Sequence, residues 1–402
     1  MKLLILSEKE CGLWLNNIKG IGYKKIQYLI EYFGDYKSVY YATEKELCKI
    51  KSLSEKNIFN ILESKDVYCI KTNLENMESK GYKFVLRYEQ NYPKRLKDIY
   101  APPHILYYRG ELPKEEVPSI AIIGARECTS YGMHYATKFA YELASKGFQI
   151  ISGLARGIDT AAHLGAIESK VGKTFGVLGC GVDVCYPKSN IDTFMQTINH
   201  GGIISECPIG AIPVAGNFPM RNRIISGLCD GILVIEARKQ SGSLITVDLA
   251  LEQGKDVYAL PGAINSLLSE GCNNIIKIGA KSVTKVEDIL EDYSNYLYRR
   301  NSVNYITNES NKSDKMSLLN DEKINDDLDD DLDEFLEKNK IYLERHEKIV
   351  YASLRLESKH IDSIVYETGF SIGEVIKILF DLEEKKLVIQ TQNNYYTRLN
   401  LG

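Results

Sequence analysis

Apolar runs alternate with glycine-rich turns between residues 118 and 290, and this pattern predicts the central domain of the chain. The runs lack the alternating polar positions of a half-exposed strand, so we expect strands buried on both faces, as in a parallel sheet. Helical patterns separate the runs, which is the order of a doubly wound α/β fold. The runs are Ser119–Ile123, Phe148–Ile151, Thr174–Leu178, Gly231–Ile235 and Val257–Leu260.

The first 70 residues show helical spacing of apolar positions and predict a separate all-helical domain. The apolar positions surround the turn Lys19–Tyr23, and a second, weaker copy of the pattern begins at Leu47. The two copies resemble a pair of helix-hairpin-helix motifs, so a helix-hairpin-helix or SAM-like domain is predicted for residues 1–70. Such a hairpin can direct a helix N-terminus at a nucleic-acid phosphate. Because the second copy lacks glycine, packing or protein contact is the alternative role.

Three further regions complete the chain. Residues 71–117 are predicted to connect the helical domain to the sheet, with short strands at Tyr82–Leu86 and Ile105–Tyr108. Residues 291–340 are rich in Asn, Ser and Asp, which predicts an acidic flexible linker. Residues 341–402 show three helical patterns and then a hairpin pattern, the order expected of a small winged-helix domain.

The formal net charge of −4 conceals an uneven distribution of charge along the 402 residues. Between Asp321 and Glu337, ten acidic residues and one lysine give −9, which leaves +5 for the rest of the chain. A mildly basic body is compatible with a polyanionic partner but does not require one.

Cysteine usage and hydropathy predict the compartment. Nine cysteines are scattered without a Cys-x-x-Cys pair, so reduced thiols are expected and no disulfide framework or zinc pattern is. No apolar run reaches the length that a bilayer requires, and Leu3–Leu6 is too short for the core of a signal peptide. These features predict a cytoplasmic protein without a membrane segment.

The candidate binding residues lie in the turns that follow the predicted strands, where open parallel sheets bind their ligands. Glycine lets backbone N–H groups approach an anion closely. The guanidinium of Arg126 can hold phosphate at two points, with a salt bridge to a helix end as the alternative. Lys188 either reaches the same cleft or is simply solvated. The residues predicted to contact a phosphate chain are Gly124, Arg126, Ser130, Ser152, Gly153, Lys188, Arg221, Asn222, Arg223, Ser241, Gly242 and Ser243.

Arg221 and Arg223 flank Asn222 near the start of a predicted helix. Residues two apart on a helix point to nearly opposite sides. One arginine is therefore expected to face the ligand and the other to brace the fold, and the spacing does not decide which has which role.

Enzymatic patterns do not emerge from the same region. The chain has no Gly-x-x-x-x-Gly-Lys-Ser/Thr sequence, and Gly-x-Gly-x-x-Gly does not follow the first strand. His163 follows Asp159 by four residues and can pair with it on one helix face, but a structural role is favoured. No Ser, His and Asp set can be assembled. We therefore predict a protein without catalytic residues, cofactor or metal.

Residues 92–290 closely resemble the DNA-processing protein A family, also called DprA or Smf. Seven ordered motifs carry the resemblance. They are Tyr92–Leu96 with Pro102–Pro103, Gly124–Arg126, Ser152–His163, Tyr186–Asn190, Phe218–Ile225, Ser241–Thr246 and Ala259–Gly262.

The resemblance implies an extended Rossmann fold that binds single-stranded DNA without sequence preference. It also implies a homodimer that loads the RecA recombinase onto incoming DNA during natural transformation in competent cells. The family's phosphate contacts would correspond to Arg126 with its glycine turn, to Lys188, and to Arg221 or Arg223.

Two features qualify this interpretation. The third helical pattern of the C-terminal region carries Glu374, Asp381 and Glu383, whereas a helix inserted in a DNA groove should be basic, so protein contact is favoured over duplex reading.

The alternative function is a nucleotide-cleaving hydrolase similar to the lysine-decarboxylase-like phosphoribohydrolases. Those enzymes carry a Pro-Gly-Gly-x-Gly-Thr turn, and Ser241–Thr246 departs from it. A regulatory adaptor acting through the winged-helix region is the third reading.

Overall fold

The computed structural model describes residues 5–294, 296, 345–354, 359–368, 370–385, 387–392 and 394–398. These residues fall into two compact units, the first within Met1–Thr307 and the second within Asn308–Gly402. Among the described residues, no helix has both the length and the apolar character needed to cross a membrane.

The first unit contains a group of helices followed by alternating strands and helices. Its helices are α1 (Glu8–Asn16), α2 (Tyr23–Phe33), α3 (Tyr36–Tyr41), α4 (Glu44–Leu47), α5 (Glu55–Glu63), α6 (Val67–Ser79), α7 (Ser130–Ser145), α8 (Ile158–Glu168), α9 (Ile191–Asn199), α10 (Asn217–Leu228), α11 (Gly242–Glu252), α12 (Glu270–Lys277) and α13 (Glu287–Leu290). Its strands are β1 (Lys83–Leu86), β2 (Ile105–Gly110), β3 (Ser119–Ile123), β4 (Gln149–Ser152), β5 (Thr174–Leu178), β6 (Gly201–Ser205), β7 (Gly231–Val234), β8 (Asp256–Ala259) and β9 (Lys281–Ser282).

The nine strands form one mostly parallel sheet in the order β1-β2-β6-β5-β4-β3-β7-β8-β9. All pairs from β6 to β9 are parallel, and β1 and β2 are antiparallel additions at one edge. Along the chain, the strands after β3 first extend the sheet to one side and then, from β7, to the other. The doubly wound, extended Rossmann-like α/β fold predicted from the sequence is confirmed.

Helices cover both faces of this sheet, so successive strand residues are buried in different cores. In β3, Ile120 and Ile122 belong to the core that includes residues of α7 and α8. Ala121 and Ile123 belong to the core that includes residues of α10, α11 and α12. Burial of both faces explains why the strands show no polar alternation in the sequence.

The predicted connecting segment 71–117 supplies the two antiparallel strands. β1 pairs with β2, and β2 pairs with β6 through Tyr107 to Gly110. The sequence predicted both strands but not their place in the sheet. Their apolar spacing shows that they are strands, whereas the pairing partner, β6, lies about 100 residues further along the chain.

The six N-terminal helices pack against the edge of the sheet formed by β1 and β2. Their core includes Trp14 and continues to Leu86 and Tyr107 of these strands. The Trp14 indole N–H donates to the carbonyl and hydroxyl oxygens of Ser64, at 3.0 and 2.9 Å, which ties α1 to the end of α5. Gly20, in the turn between α1 and α2, has φ +86°, a conformation that favours glycine.

The second unit contains α14 (Arg345–Ser353), α15 (Ile361–Thr368), α16 (Ile372–Glu384) and the strands β10 (Lys359–His360), β11 (Val388–Gln392) and β12 (Tyr395–Arg398). The strands form a sheet in the order β10-β12-β11. The three helices and the hairpin expected for 341–402 are present, and assignment to the winged-helix class stays a prediction. Most of the predicted acidic linker, 291–340, lies outside the described residues.

Candidate nucleic-acid interface

A cleft of about 720 Å³ opens beyond the carboxyl ends of β3 and β7. These two strands are neighbours at the point where the order of the sheet reverses, which is where open α/β sheets bind ligands. The loops that follow the two strands line the cleft together with the first turns of α10 and α11.

Seven of the twelve predicted binding residues line this cleft. They are Gly124, Arg126, Arg221, Asn222, Ser241, Gly242 and Ser243. The Ser241 hydroxyl caps α11 by accepting from the Ser243 N–H at 3.3 Å. The N-terminal end of this helix therefore contributes to the cleft wall, where a helix dipole favours an anion.

The other five predicted residues lie outside the cleft, each for a different reason. Ser130 is exposed at the start of α7, where the actual cap is Thr129. Ser152 is buried and donates its hydroxyl to the Ile122 carbonyl at 2.7 Å. Lys188 is exposed on the loop after β5, and the remaining two residues, Gly153 and Arg223, are buried in the protein.

Arg223 is the bracing member of the arginine pair. Its side chain is only 4% exposed and forms an ion pair with Glu206. Arg221 points the other way and lines the cleft, while its Nη1 donates to the Gly153 carbonyl at 2.9 Å and to that of Val177 at 2.5 Å. The structure therefore does not place Arg223 in the cleft.

Asp159 lies beside Arg221 as a buried, fixed carboxylate. Its Oδ2 accepts from the N–H groups of Gly153 at 3.2 Å and Ala155 at 3.3 Å. Burial raises the pKa of this carboxyl, and the neighbouring Arg221 guanidinium opposes the rise. A Cβ on Gly153 would collide with that guanidinium and would lie 2.7 Å from Asp159 Oδ2, so the close approach of the two groups requires glycine here.

His163 has a structural role, as expected, but its partner is Thr174 and not Asp159. The Thr174 hydroxyl donates to the Ile150 carbonyl at 3.1 Å, so His163 Nδ1–H donates to that hydroxyl at 2.7 Å. Burial lowers the pKa of His163 to about 3, which keeps the ring neutral. The described residues contain no group of three or more His, Cys, Asp and Glu side chains arranged to hold a metal ion.

Four exposed cations follow four neighbouring strands of the sheet. Lys188, Arg156, Arg126 and Arg238 come after β5, β4, β3 and β7, and we call them the cation row. In contrast to Arg223, none of the four side chains forms a hydrogen bond or an ion pair with a described residue. With neighbouring strands ~4.8 Å apart, the ends of these four strands extend over roughly 14 Å.

Arg156 and Arg238 were missed as candidates. Arg156 lies within the Ser152–His163 motif, and Arg238 follows the strand Gly231–Val234 as Arg126 follows β3. The rule that identified Arg126, a cation just beyond the carboxyl end of a buried strand, would have identified both.

A buried carboxylate holds the loop that carries Arg126. Glu236 accepts from the Thr129 N–H at 2.9 Å and from the Thr129 hydroxyl at 2.6 Å. The Glu236 carbonyl accepts from the Ala125 N–H at 2.8 Å. The loop after β3 is thereby attached to the residue that follows β7, so the position of Arg126 depends on Glu236.

Two aromatic rings lie in the cleft beside the arginines. The rings of Tyr186 and Phe218 are 5.6 Å apart between centroids and are tilted by 39°. The guanidinium carbons of Arg126 and Arg221 lie 5.8 and 6.0 Å from the centroid of Phe218, within the range of cation–π attraction. The cleft thus combines cations, aromatic rings and a helix N-terminus.

The family model of DNA recombination-mediator protein A matches residues 83–294 of the chain. The DNA processing protein DprA of Streptococcus pneumoniae is 44% identical over 202 residues, which cover 50% of this chain and 71% of that protein. The protein Smf of Synechocystis sp. is 30% identical over 410 residues, which cover 98% of this chain and 100% of that protein.

The fold of one solved structure agrees with this match, and a second solved structure is less similar. The X-ray structure of DNA processing protein A from Streptococcus pneumoniae has a TM-score of 0.61 and 34% identity, covering 71% of this chain and 98% of that one. The Helicobacter pylori DNA processing protein A, whose single-stranded DNA binding mode has been studied structurally, has a TM-score of 0.48 and 28% identity, covering 53% and 96%.

The family model spans more than half of the chain and contains the whole nine-stranded sheet together with the cleft and the cation row. The relative from Synechocystis extends the similarity to almost the full length. The chain belongs to the DNA recombination-mediator protein A family, the family of the DprA and Smf proteins.

Proposed function

We propose that this protein binds single-stranded DNA without sequence preference and loads the RecA recombinase onto it during natural transformation. Membership of the family establishes the broader role, that of a DNA-processing recombination mediator. The observation that carries the binding proposal is the cation row, whose four side chains have no hydrogen-bond or ion-pair partner among the described residues. Unpaired guanidinium and ammonium groups are suited to phosphate.

The cation row supports binding that does not depend on sequence. Contacts to phosphates position a nucleic acid but carry no direct sequence information. The row crosses the ends of four strands, so a DNA backbone lying along it would run across the sheet. The cleft at Arg126 and Arg221 lies on this path and would hold one phosphate near the N-terminus of α11.

An exposed apolar group supports the proposed homodimer. Ile264, Leu267 and Ile278 are 96%, 65% and 78% exposed, and they lie after β8 and around α12. Exposed apolar side chains that together form a contiguous patch would mark a contact surface for another protein. We propose that a second copy of this chain covers them. Recombinase loading is proposed from membership of the family alone.

The alternative of a nucleotide-cleaving hydrolase gains no support from the cleft. The two carboxylates among its described lining residues are Glu127 and Asp159. Asp159 is 7% exposed and is already bonded to two backbone N–H groups. A protein without catalytic residues remains our proposal.

A salt titration of binding tests the proposed interface. Fluorescence anisotropy would be recorded with labelled single-stranded oligonucleotides of two unrelated sequences. We expect equal affinity for both, and a slope of log affinity against log salt near −3, because four cations each displace about 0.7 counterion from a single strand. Arg126→Ala should reduce affinity for both sequences and bring the slope closer to zero by ~0.7.

Lys138→Ala is the matched control, because Lys138 is an exposed cation on α7 whose ion pair with Glu142, at 3.9 Å, is weak. This control should bind like the unaltered protein. Unchanged affinity and slope for Arg126→Ala would reject the assignment of the interface. Loading is tested separately, by adding RecA to the bound oligonucleotide in a gel-shift assay.

A further inference from the structure

One loop carries both an aromatic ring and a member of the cation row. Tyr186 and Lys188 lie two residues apart between β5 and α9. Tyr186 lines the cleft and is 44% exposed, whereas other tyrosines of the same sheet domain, Tyr92, Tyr107 and Tyr258, are almost completely buried. An exposed ring beside unpaired cations differs from a ring that fills a core.

The neighbouring ring, Phe218, is held in place from several sides. Arg126 and Arg221 lie at cation–π distance from it, and the backbone of Gly179 lies so close that an added Cβ would be 3.1 Å from Phe218 Cδ1. Phe218 therefore forms a fixed support on which Tyr186 rests at 5.6 Å. The part of the Tyr186 ring that Phe218 does not cover lines the cleft.

The hydroxyl of Tyr186 has no hydrogen-bond partner among the described residues, so the fold makes no use of it. What the position contributes to the cleft is an exposed aromatic ring. Nucleic-acid bases stack on such faces whatever their identity, because every base has a π face. The ring lies within about 11 Å of the Arg126 guanidinium carbon, since each is less than 6 Å from the centroid of Phe218.

We infer that Tyr186 stacks against an unpaired base of a strand whose phosphates lie on the cation row. This inference rests on the proposed binding of DNA and adds a means of selecting single strands. A base can stack on Tyr186 only when it has left its neighbours, so a duplex would reach the cations without using the ring. The cations would supply affinity for any DNA, and the ring would supply the preference for unpaired bases.

The test compares two strands of equal length and charge. One is oligo(dT), and the other has the same phosphates joined by tetrahydrofuran units without bases. The full-length protein should bind oligo(dT) roughly tenfold more tightly than the abasic strand. In Tyr186→Ala this ratio should fall towards one, through weaker binding of oligo(dT) only. Tyr186→Phe keeps the ring and removes the unused hydroxyl, so it should retain the full ratio.

Arg126→Ala separates this inference from the function on which it rests. It should weaken both strands and leave their ratio unchanged, because Arg221 and the backbone of Gly179 still hold Phe218. If Tyr186→Ala weakens both strands equally, or neither, while Arg126→Ala weakens both, stacking is rejected and DNA binding stands. If Arg126→Ala affects neither strand, the proposed interface itself is rejected. Thermal unfolding of Tyr186→Ala and Tyr186→Phe shows whether folding is altered. A 2-aminopurine base in the oligonucleotide measures stacking directly. Quenching of its fluorescence by the native protein but not by Tyr186→Ala would support the inference.

Discussion

The two ends of the parallel sheet use their arginines in opposite ways. At the amino end, Arg95 donates to both oxygens of Asp230, at 3.0 and 2.9 Å. It also donates to the Ser119 hydroxyl and to three carbonyl oxygens, so the guanidinium is surrounded by acceptors. Gln149 joins the same network through Ser119, which connects the first residues of β3 and β4 to the residue before β7.

At the carboxyl end, the cation row has no acceptors within the described part of the protein. The cation at the amino end has its hydrogen bonds completed inside the protein, whereas the four cations at the carboxyl end do not. An arginine whose donors are all used stabilises the fold, and an arginine whose donors are free is available for a ligand. This comparison assigns Arg95 to stability and Arg126 to binding, although both are cations next to strands.

Removal of Arg95 should have the largest effect on stability. Its side chain is 13% exposed, and Arg95→Ala would remove its six hydrogen bonds, leaving Asp230 with the Ser119 N–H at 2.8 Å and the Glu115 carbonyl without the donor that Arg95 supplies. We expect the free energy of unfolding to fall by about 3 kcal/mol, measured by urea denaturation. Arg95→Lys should recover only part of this loss, because lysine lacks the planar fork. The folded variants should bind single-stranded DNA normally. If a fully folded Arg95 variant lost DNA binding, the assignment of Arg95 to stability alone would be wrong.

Removal of two members of the cation row should have the opposite effect, which is a loss of DNA affinity without a loss of stability. Arg126→Ala/Arg156→Ala should reduce affinity for single-stranded DNA by roughly 10- to 100-fold in low salt and reduce the steepness of the salt dependence by ~1.4. Stability should be nearly unchanged, because the two arginines make no hydrogen bond or ion pair with a described residue. The matched control is Lys138→Ala/Lys173→Ala, two exposed lysines in weak surface pairs. A clear loss of stability in the arginine double variant would show that the row braces the fold.

Substitution of Glu236 tests whether DNA binding by Arg126 depends on the hydrogen bonds that hold its loop. Glu236→Gln would weaken the two bonds with Thr129 that hold the Arg126 loop, at a cost of about 1–2 kcal/mol in unfolding free energy. DNA affinity should fall several-fold, because the arginine is no longer held in position. Glu142→Gln, on the exposed surface of α7, is the control. Normal DNA affinity in Glu236→Gln would mean that Arg126 does not need this support.

The sequence predicted the sheet well because burial on both faces produces continuous apolar runs, as in Thr174–Leu178. It also located most of the cleft, since Gly124, Arg126 and Ser241 all follow strands. It left the roles of Arg221 and Arg223 open, because that decision depends on Glu206, which lies in a different segment. Local spacing cannot reveal a partner that is brought close only by folding.

The same limit explains the remaining differences. Ser130 and Ser152 occupy the predicted turns, but Ser130 is not among the residues that line the cleft, and the Ser152 hydroxyl donates to the Ile122 carbonyl. The pairing of β2 with β6 could not be predicted from the sequence either. Tyr186 was identified only as part of a motif, because the sequence does not distinguish an exposed tyrosine from a buried one.

The smallest expected effect concerns pH and again involves the amino end of the sheet. His163 bonds to Thr174, the first residue of β5, and its pKa is lowered to about 3 by burial. The unfolded chain binds a proton at this ring near pH 6.5 and the folded protein does not, so the contribution to stability is lost as pH falls below about 6.5. Between pH 7 and 5.5 the loss should be about 1 kcal/mol for this residue.

Urea denaturation at the two pH values measures this loss. His163→Gln should be less stable at pH 7, because the Thr174 hydroxyl loses a well-placed donor, but its stability should fall less on acidification. If His163→Gln loses as much stability between pH 7 and 5.5 as the native protein does, the ring is not held neutral at the amino end. The contrast between the amino end, where polar side chains bond internally, and the carboxyl end, where the cation row does not, would then rest on Arg95 and its partners alone.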